Sequence, residues 1–144
     1  MPDGVESSIS TKPRLRVVNR AQFVLRAMDI EEFIAEDHPA RALWEFLGRL
    51  DLTGFYEPLK AVEGGAGQPS NDPRLMIALW LYAYSRGIGS AREVSRQCEY
   101  EPGFQWLCAL DPINHHSLSD FRVDFHEALT ELFPQVLGVL SAEG

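Results

Sequence analysis

The spacing of apolar residues predicts helices along most of the chain. In segment 40–50 they recur every three or four positions, which is the period of an amphipathic helix, and Pro39 suits its first turn. The segment 75–84 is apolar almost all round, which predicts a helix at the centre of the core. Asp29 is a capping residue for a shorter helix that ends before the His38-Pro39 pair.

Signals for helix starts recur in the second half of the chain. Ser90 and Glu93 form a capping box, so a helix is expected from the next residue onward. Pro102 opens a short helix, and Ser117 begins a longer one whose apolar stripe continues to a kink at Pro134. The pattern predicts an all-α fold, a compact domain of several helices.

Two segments lack this periodicity. Residues 1–26 are predicted to form a flexible, basic arm, with a short extended stretch near Arg14 and Arg16. Residues 52–72 are rich in glycine and predict a long loop. We therefore divide the chain into the arm and a helical domain at residues 27–144.

The charge is unevenly distributed along the chain. Its net value of -8 opposes nucleic-acid binding when taken alone, because phosphate contacts require cations. However, residues 1–26 and 73–110 are net positive, whereas residues 27–72 and 111–144 are strongly acidic. Two regions could therefore face DNA.

The remaining composition predicts a cytoplasmic chain without a membrane partner. No apolar stretch is long enough to span a bilayer, and the polar N-terminus lacks the core of a signal peptide. Cys98 and Cys108 are too few and too far apart for a zinc ribbon, so both are expected to be reduced, structural residues.

A tight turn, Gly87-Ile88-Gly89, joins the apolar helix to the capped helix and predicts a helix-turn-helix-like corner. The later helix start at Ser117 would offer free N–H groups and a positive dipole end to phosphate. Together with exposed arginines, these features define the candidate DNA-binding residues. They are Arg14, Arg16, Arg20, Arg92, Arg96, His116, Ser117, Ser119 and Arg122. The alternative interpretation is two helix caps and a solvated, charged surface.

Catalytic chemistry is only weakly indicated. A row of carboxylates shares one face of the last predicted helix, formed by Asp120, Asp124, Glu127 and Glu131. It lacks the Glu-x-x-His pairs of a carboxylate metal site, so a solvated face is the preferred interpretation. No phosphate-binding glycine loop with its lysine and no Gly-x-Ser-x-Gly motif occurs. We expect no catalytic residue, metal or cofactor here, and an unrelated helical enzyme is the least favoured alternative.

Five short motifs occur in a characteristic order between residues 28 and 135. They are EDHPAR at 36–41, GQPSNDPR at 67–74, LYAYSRGIGSAREV at 81–94, FQWL at 104–107 and HSLSDFR at 116–122. In this order and spacing they resemble the N-terminal (InsH-like) domain of DDE-class insertion-sequence transposases. One departure from that family is the acidic pair Asp120 and Asp124, where the family tends to carry basic residues.

The resemblance implies a role in DNA transposition, by binding terminal inverted repeats and by assisting transposase assembly. In the family, a ribonuclease-H-like domain follows the helical one and holds two Mg²⁺ ions with three carboxylates. This chain ends at Gly144, so we expect that catalytic domain and its Mg²⁺ to be absent. The expected partners are terminal-repeat DNA and a second copy or a full-length transposase. The alternative is a dimerisation module or a non-functional transposase fragment.

Overall fold

The computed structural model describes residues 15–57 and 71–143. A 3₁₀ turn at Ile30–Glu32 precedes the helices of this part of the chain. These are α1 (Pro39–Gly48), α2 (Pro73–Ser85), α3 (Ala91–Tyr100), α4 (Pro102–Leu107), α5 (His115–Asp124) and α6 (His126–Glu143). Residues 53–57 are also helical, and no strand occurs in the described ranges. The all-α prediction is confirmed.

Side chains cap most of these helices, and the sequence signals predicted the caps at Asp29, Asp72 and Ser90 but not the cap at His38. Asp29, His38 and Asp72 accept hydrogen bonds from backbone N–H groups at the starts of the 3₁₀ turn, α1 and α2. Ser90 accepts from the N–H of Glu93 at 3.2 Å, which is one half of the predicted capping box. Each such bond satisfies a donor that the helix leaves free at its first turn.

Helix α2 is the centre of the core. Its residues Met76–Ala83 are all buried, and α2 packs against each of the other five helices. The indole of Trp80 is completely buried and donates a hydrogen bond from Nε1 to the carbonyl of Leu118 at 2.9 Å. A helix that is apolar on every side requires partners on every side, as the sequence predicted.

The predicted long helix from Ser117 is wrong in two respects. The helix begins at His115 with Asn114 as its cap, and it ends at Phe125, whose backbone leaves the helical region. The Phe125 ring packs against Phe55 and Phe121, with centroid distances of 4.9 and 4.7 Å, and this tertiary contact accompanies the break. Helix α6 then continues across Pro134 and buries Leu129, Val136 and Leu140 against the core, so it is not a free C-terminal helix.

The predicted arm and loop lie partly outside the described residues. Residues 15–29 form no helix or strand and are exposed, which agrees with the arm but shows no strand beside Arg16. The predicted loop at 52–72 is wrong at residues 53–57, which are helical. Residues 1–14, with Arg14, and residues 58–70 are outside the described part.

Candidate nucleic-acid interface

Helices α3 and α5 pack together and are tied at two points. The Ser95 hydroxyl donates a hydrogen bond to the carbonyl of Ile113 at 2.7 Å, just before α5 begins. Near the other end of α5, the Arg122 guanidinium donates to the carbonyl of Gly89, in the turn before α3. The two helices therefore pass each other in opposite directions, and residues distant in sequence share one surface.

Two of the predicted arginines project from α3. Arg92 and Arg96 are both exposed, one helical turn apart. Arg96 lies 3.6 Å from a carboxylate oxygen of Glu93 and 5.7 Å from the ring centre of Tyr100. An exposed ion pair of this kind is weak, so Arg96 stays available to an external anion.

A pair of histidines stands at the start of α5. The rings of His115 and His116 are 4.2 Å apart, and the Asn114 side chain accepts from the N–H of His116 at 2.7 Å. Burial lowers the pKa of His115, and the nearby charges of His116 and Arg92 lower it further. Arg92 on α3 is therefore close enough to the start of α5 for its charge to act on the imidazole of His115. We call the surface of Arg92, Arg96, His115 and His116 the α3–α5 face.

Sequence reasoning missed His115 as a member of this face. The signal was the adjacent histidine at position 116, combined with a helix start two residues earlier than expected. His115 is half-buried, and its Nε2 atom is enclosed without a hydrogen-bond partner. A buried polar atom without a partner is uncommon, and this one lies in the first turn of α5.

Arg122, also predicted to contact DNA, is engaged in holding the fold. Its guanidinium carbon lies 4.1 Å from the ring centre of Trp80, and its N–H group donates to Gly89. Contact with the face of an indole is a cation–π interaction that stabilises the arginine where it is. The structure therefore gives Arg122 a role in joining α5 to the α2–α3 turn.

The remaining predicted residues are placed less favourably. Ser117 and Ser119 are in the first part of α5, and Asp120 is exposed beside them. A carboxylate at that position opposes phosphate. Arg16 and Arg20 are exposed on the extended segment, and no described hydrogen bond joins that segment to the helices.

The described residues offer little support for other chemistry. They contain no group of three or more His, Cys, Asp or Glu side chains that could hold a metal ion. Cys98 and Cys108 are buried free thiols. A hydrogen bond to Cys108, together with burial, raises the pKa of Cys98, which makes it a poor nucleophile. Among the described helices, none combines the length and hydropathy that a membrane crossing requires.

Comparison with known proteins gives one match. Residues 28–124, more than half of the chain, match the family described as Transposase domain (DUF772). This range begins just before the 3₁₀ turn and ends with α5, so it includes α2 and the α3–α5 face. No curated protein and no solved structure matches the chain.

Proposed function

Because the chain belongs to this transposase-domain family, we propose that it binds DNA through the α3–α5 face and assists transposase assembly. The specific target is the terminal inverted repeat of its mobile element. The observation that carries the proposal is the packing of α3 on α5, which places the helix of Arg92 and Arg96 beside the start of α5. This proximity combines side-chain cations with the positive end of a helix dipole.

The geometry of this face suits phosphate better than base edges. Arg92 and Arg96 are exposed and one turn apart, so they can reach successive phosphates along a strand. Asp120 and Asp124 are exposed on α5 and would weaken an approach of that helix deep into a groove. We therefore assign positioning contacts to α3 and the start of α5. Additional phosphate contacts are assigned to Arg14, Arg16 and Arg20 of the arm.

A titration of terminal-repeat DNA against scrambled DNA at fixed salt tests the specific target. We expect tighter binding to the repeat, and equal affinity for both sequences would overturn the assignment to terminal repeats. The double variant Arg92→Ala with Arg96→Ala should weaken binding to both sequences. It should also reduce the slope of log affinity against log salt by about one unit for each phosphate that the variant no longer neutralises.

Arg49→Ala is the matched control for Arg92→Ala. Arg49 is also an exposed arginine at a helix, and its removal changes the net charge equally. It follows α1, which packs against α2, α4 and α6 rather than against the α3–α5 face. If Arg49→Ala lowers the salt slope as much as Arg92→Ala does, binding depends on total charge and the proposed face is wrong.

A further inference from the structure

The segment 15–28 carries a concentration of exposed apolar side chains that is unusual for a folded chain. Phe23 and Leu25 are both 102% exposed, so they touch nothing around them. Five further apolar residues of the segment are also largely exposed, namely Leu15, Val17, Val18, Val24 and Met28. None of the seven joins the core that the described helices form. A concentration of large exposed apolar side chains of this kind is typical of an interaction site.

DNA binding explains the arginines of this segment but not its apolar residues. Arg16, Arg20 and Arg26 alternate with the apolar side chains, and residues 15–28 contain no acid. The segment is basic and the helical body is acidic. Their opposite charges therefore favour docking of the segment on the helical body of a second copy of this chain.

The length of the segment permits docking on another molecule. Fourteen extended residues reach about 45 Å, whereas a domain of this size has a radius of gyration of about 14 Å. In the described chain the segment lies away from its own helices. A long arm that packs on none of the described helices can exchange with the arm of a second copy and close a two-fold dimer.

A suitable receiving surface lies where α5 meets α6. A groove of about 610 Å³ is lined there by Val123, Phe125 and Ala128, with carboxylates that include Glu127 and Glu131. Val123 is 75% exposed, so it is open to a partner, whereas Phe125 and Ala128 form the half-buried floor beside it. The groove thus contains both apolar and acidic side chains, and the arm contains both apolar side chains and arginines.

We propose that two copies of this chain exchange their arms, with segment 15–28 of each docking in the α5–α6 groove of the other. The inference rests on the assembly part of the proposed function and specifies the partner, the segment and the receiving surface. Phe23 and Leu25 would fill the apolar part of the groove, and Arg26, which is not assigned to DNA, would face Glu127 and Glu131. The dimer leaves the α3–α5 face of each copy to DNA.

Light scattering after size exclusion tests the dimer over a wide range of concentration. The wild-type chain should dimerise, and Phe23→Ser with Leu25→Ser should be monomeric with an unchanged circular dichroism spectrum. Tyr100→Ser is the matched control, because Tyr100 is 69% exposed but lies on α3, and it should dimerise normally. A wild-type monomer, or a dimer that survives the arm substitutions, would overturn the proposal.

A mixing experiment tests the exchange itself. Glu127→Lys with Glu131→Lys should give a second monomer, this time with an intact arm and a damaged groove. Mixed with the arm variant, it should form a heterodimer, because one intact arm then meets one intact groove. If the mixture stays monomeric, the arm does not dock in another copy's groove.

The two proposals fail in different ways. If Arg92→Ala leaves DNA affinity unchanged while the arm variant is monomeric, the DNA face is wrong and the arm exchange holds. If the wild-type chain is a monomer that prefers the repeat, the arm exchange is wrong and DNA binding holds.

Discussion

Helix α2 and segment 15–28 are both rich in large apolar side chains, yet they have opposite environments. Residues Met76–Ala83 of α2 are all buried, and the helix packs against each of its five neighbours. Phe23 and Leu25 of the segment are fully exposed. Apolar content alone therefore does not decide burial. The difference lies in periodicity, because α2 forms a regular helix that several partners can cover, whereas the segment presents no continuous face to its own chain.

The largest predicted effect is at the centre of α2. Trp80→Ala removes a completely buried indole, its hydrogen bond to the Leu118 carbonyl and the surface on which Arg122 lies. Deleting a large aromatic core residue costs about 3–5 kcal/mol, so we expect a loss of that size in the free energy of unfolding. Urea denaturation followed by circular dichroism measures it.

Phe23→Ala is the matched substitution in segment 15–28. It also removes an aromatic ring, but this ring buries no surface in the single chain, so unfolding measured on dilute monomer should change by less than about 0.5 kcal/mol. A loss comparable to that of Trp80→Ala would show that the segment packs on its own helices. The conclusion that α2 is buried whereas segment 15–28 is exposed would then be wrong.

An effect smaller than that of Trp80→Ala is expected where α4 meets α2. A Cβ at Gly103 would lie 2.7 Å from the Cζ atom of Tyr82, whose hydroxyl donates to Glu101 at 2.9 Å. Gly103→Ala should therefore destabilise the fold by about 1–3 kcal/mol despite the better helix propensity of alanine. The control is Gly89→Ala, whose Cβ would meet nothing within 4 Å. Equal melting temperatures for the two variants would show that Tyr82 has room to move.

The fold was largely predictable because its signals are local. Asp72, Ser90 and the apolar run of α2 identify helix starts and the central helix without knowledge of any neighbour. The break at Phe125 could not be predicted in this way. The apolar stripe continues through it, and the break accompanies contacts with Phe55, a residue far away in the sequence.

The candidate site was predictable as a set of residues but not as an arrangement. Arg92 and His116 were identified separately, from a helix face and from a helix start. Their placement on neighbouring helices depends on the packing of α3 on α5, to which the Ser95 hydrogen bond to Ile113 contributes. Arg122 was predicted to contact DNA, but its guanidinium lies on Trp80 instead. The sequence could not reveal this contact, because the two residues are far apart along the chain.

The last prediction concerns pH and separates the helical body from the arm. Residues 1–37 contain no histidine, so histidine titration acts on the body alone. His38 caps α1 by accepting the N–H of Ala40 at Nδ1, at 3.0 Å. Burial lowers the pKa of His38, and the charges of Arg86 and Arg41 also lower it, whereas Glu101 and Asp37 raise it. The folded state therefore favours the neutral imidazole.

The unfolded chain binds this proton more readily, with a pKa near about 6.5. The contribution of His38 to stability is complete above that pH and declines as the pH falls through it toward the lower pKa of the folded state. Protonation at Nδ1 would also remove the acceptor of the α1 cap. We expect His38→Asn, which keeps a cap but does not titrate, to make the loss of stability between about pH 7.5 and 5.5 shallower. His115, whose pKa is also lowered, contributes in the same direction, so some of the slope should persist in the variant. An unchanged slope for His38→Asn would mean that protonation of His38 is not coupled to folding of the body.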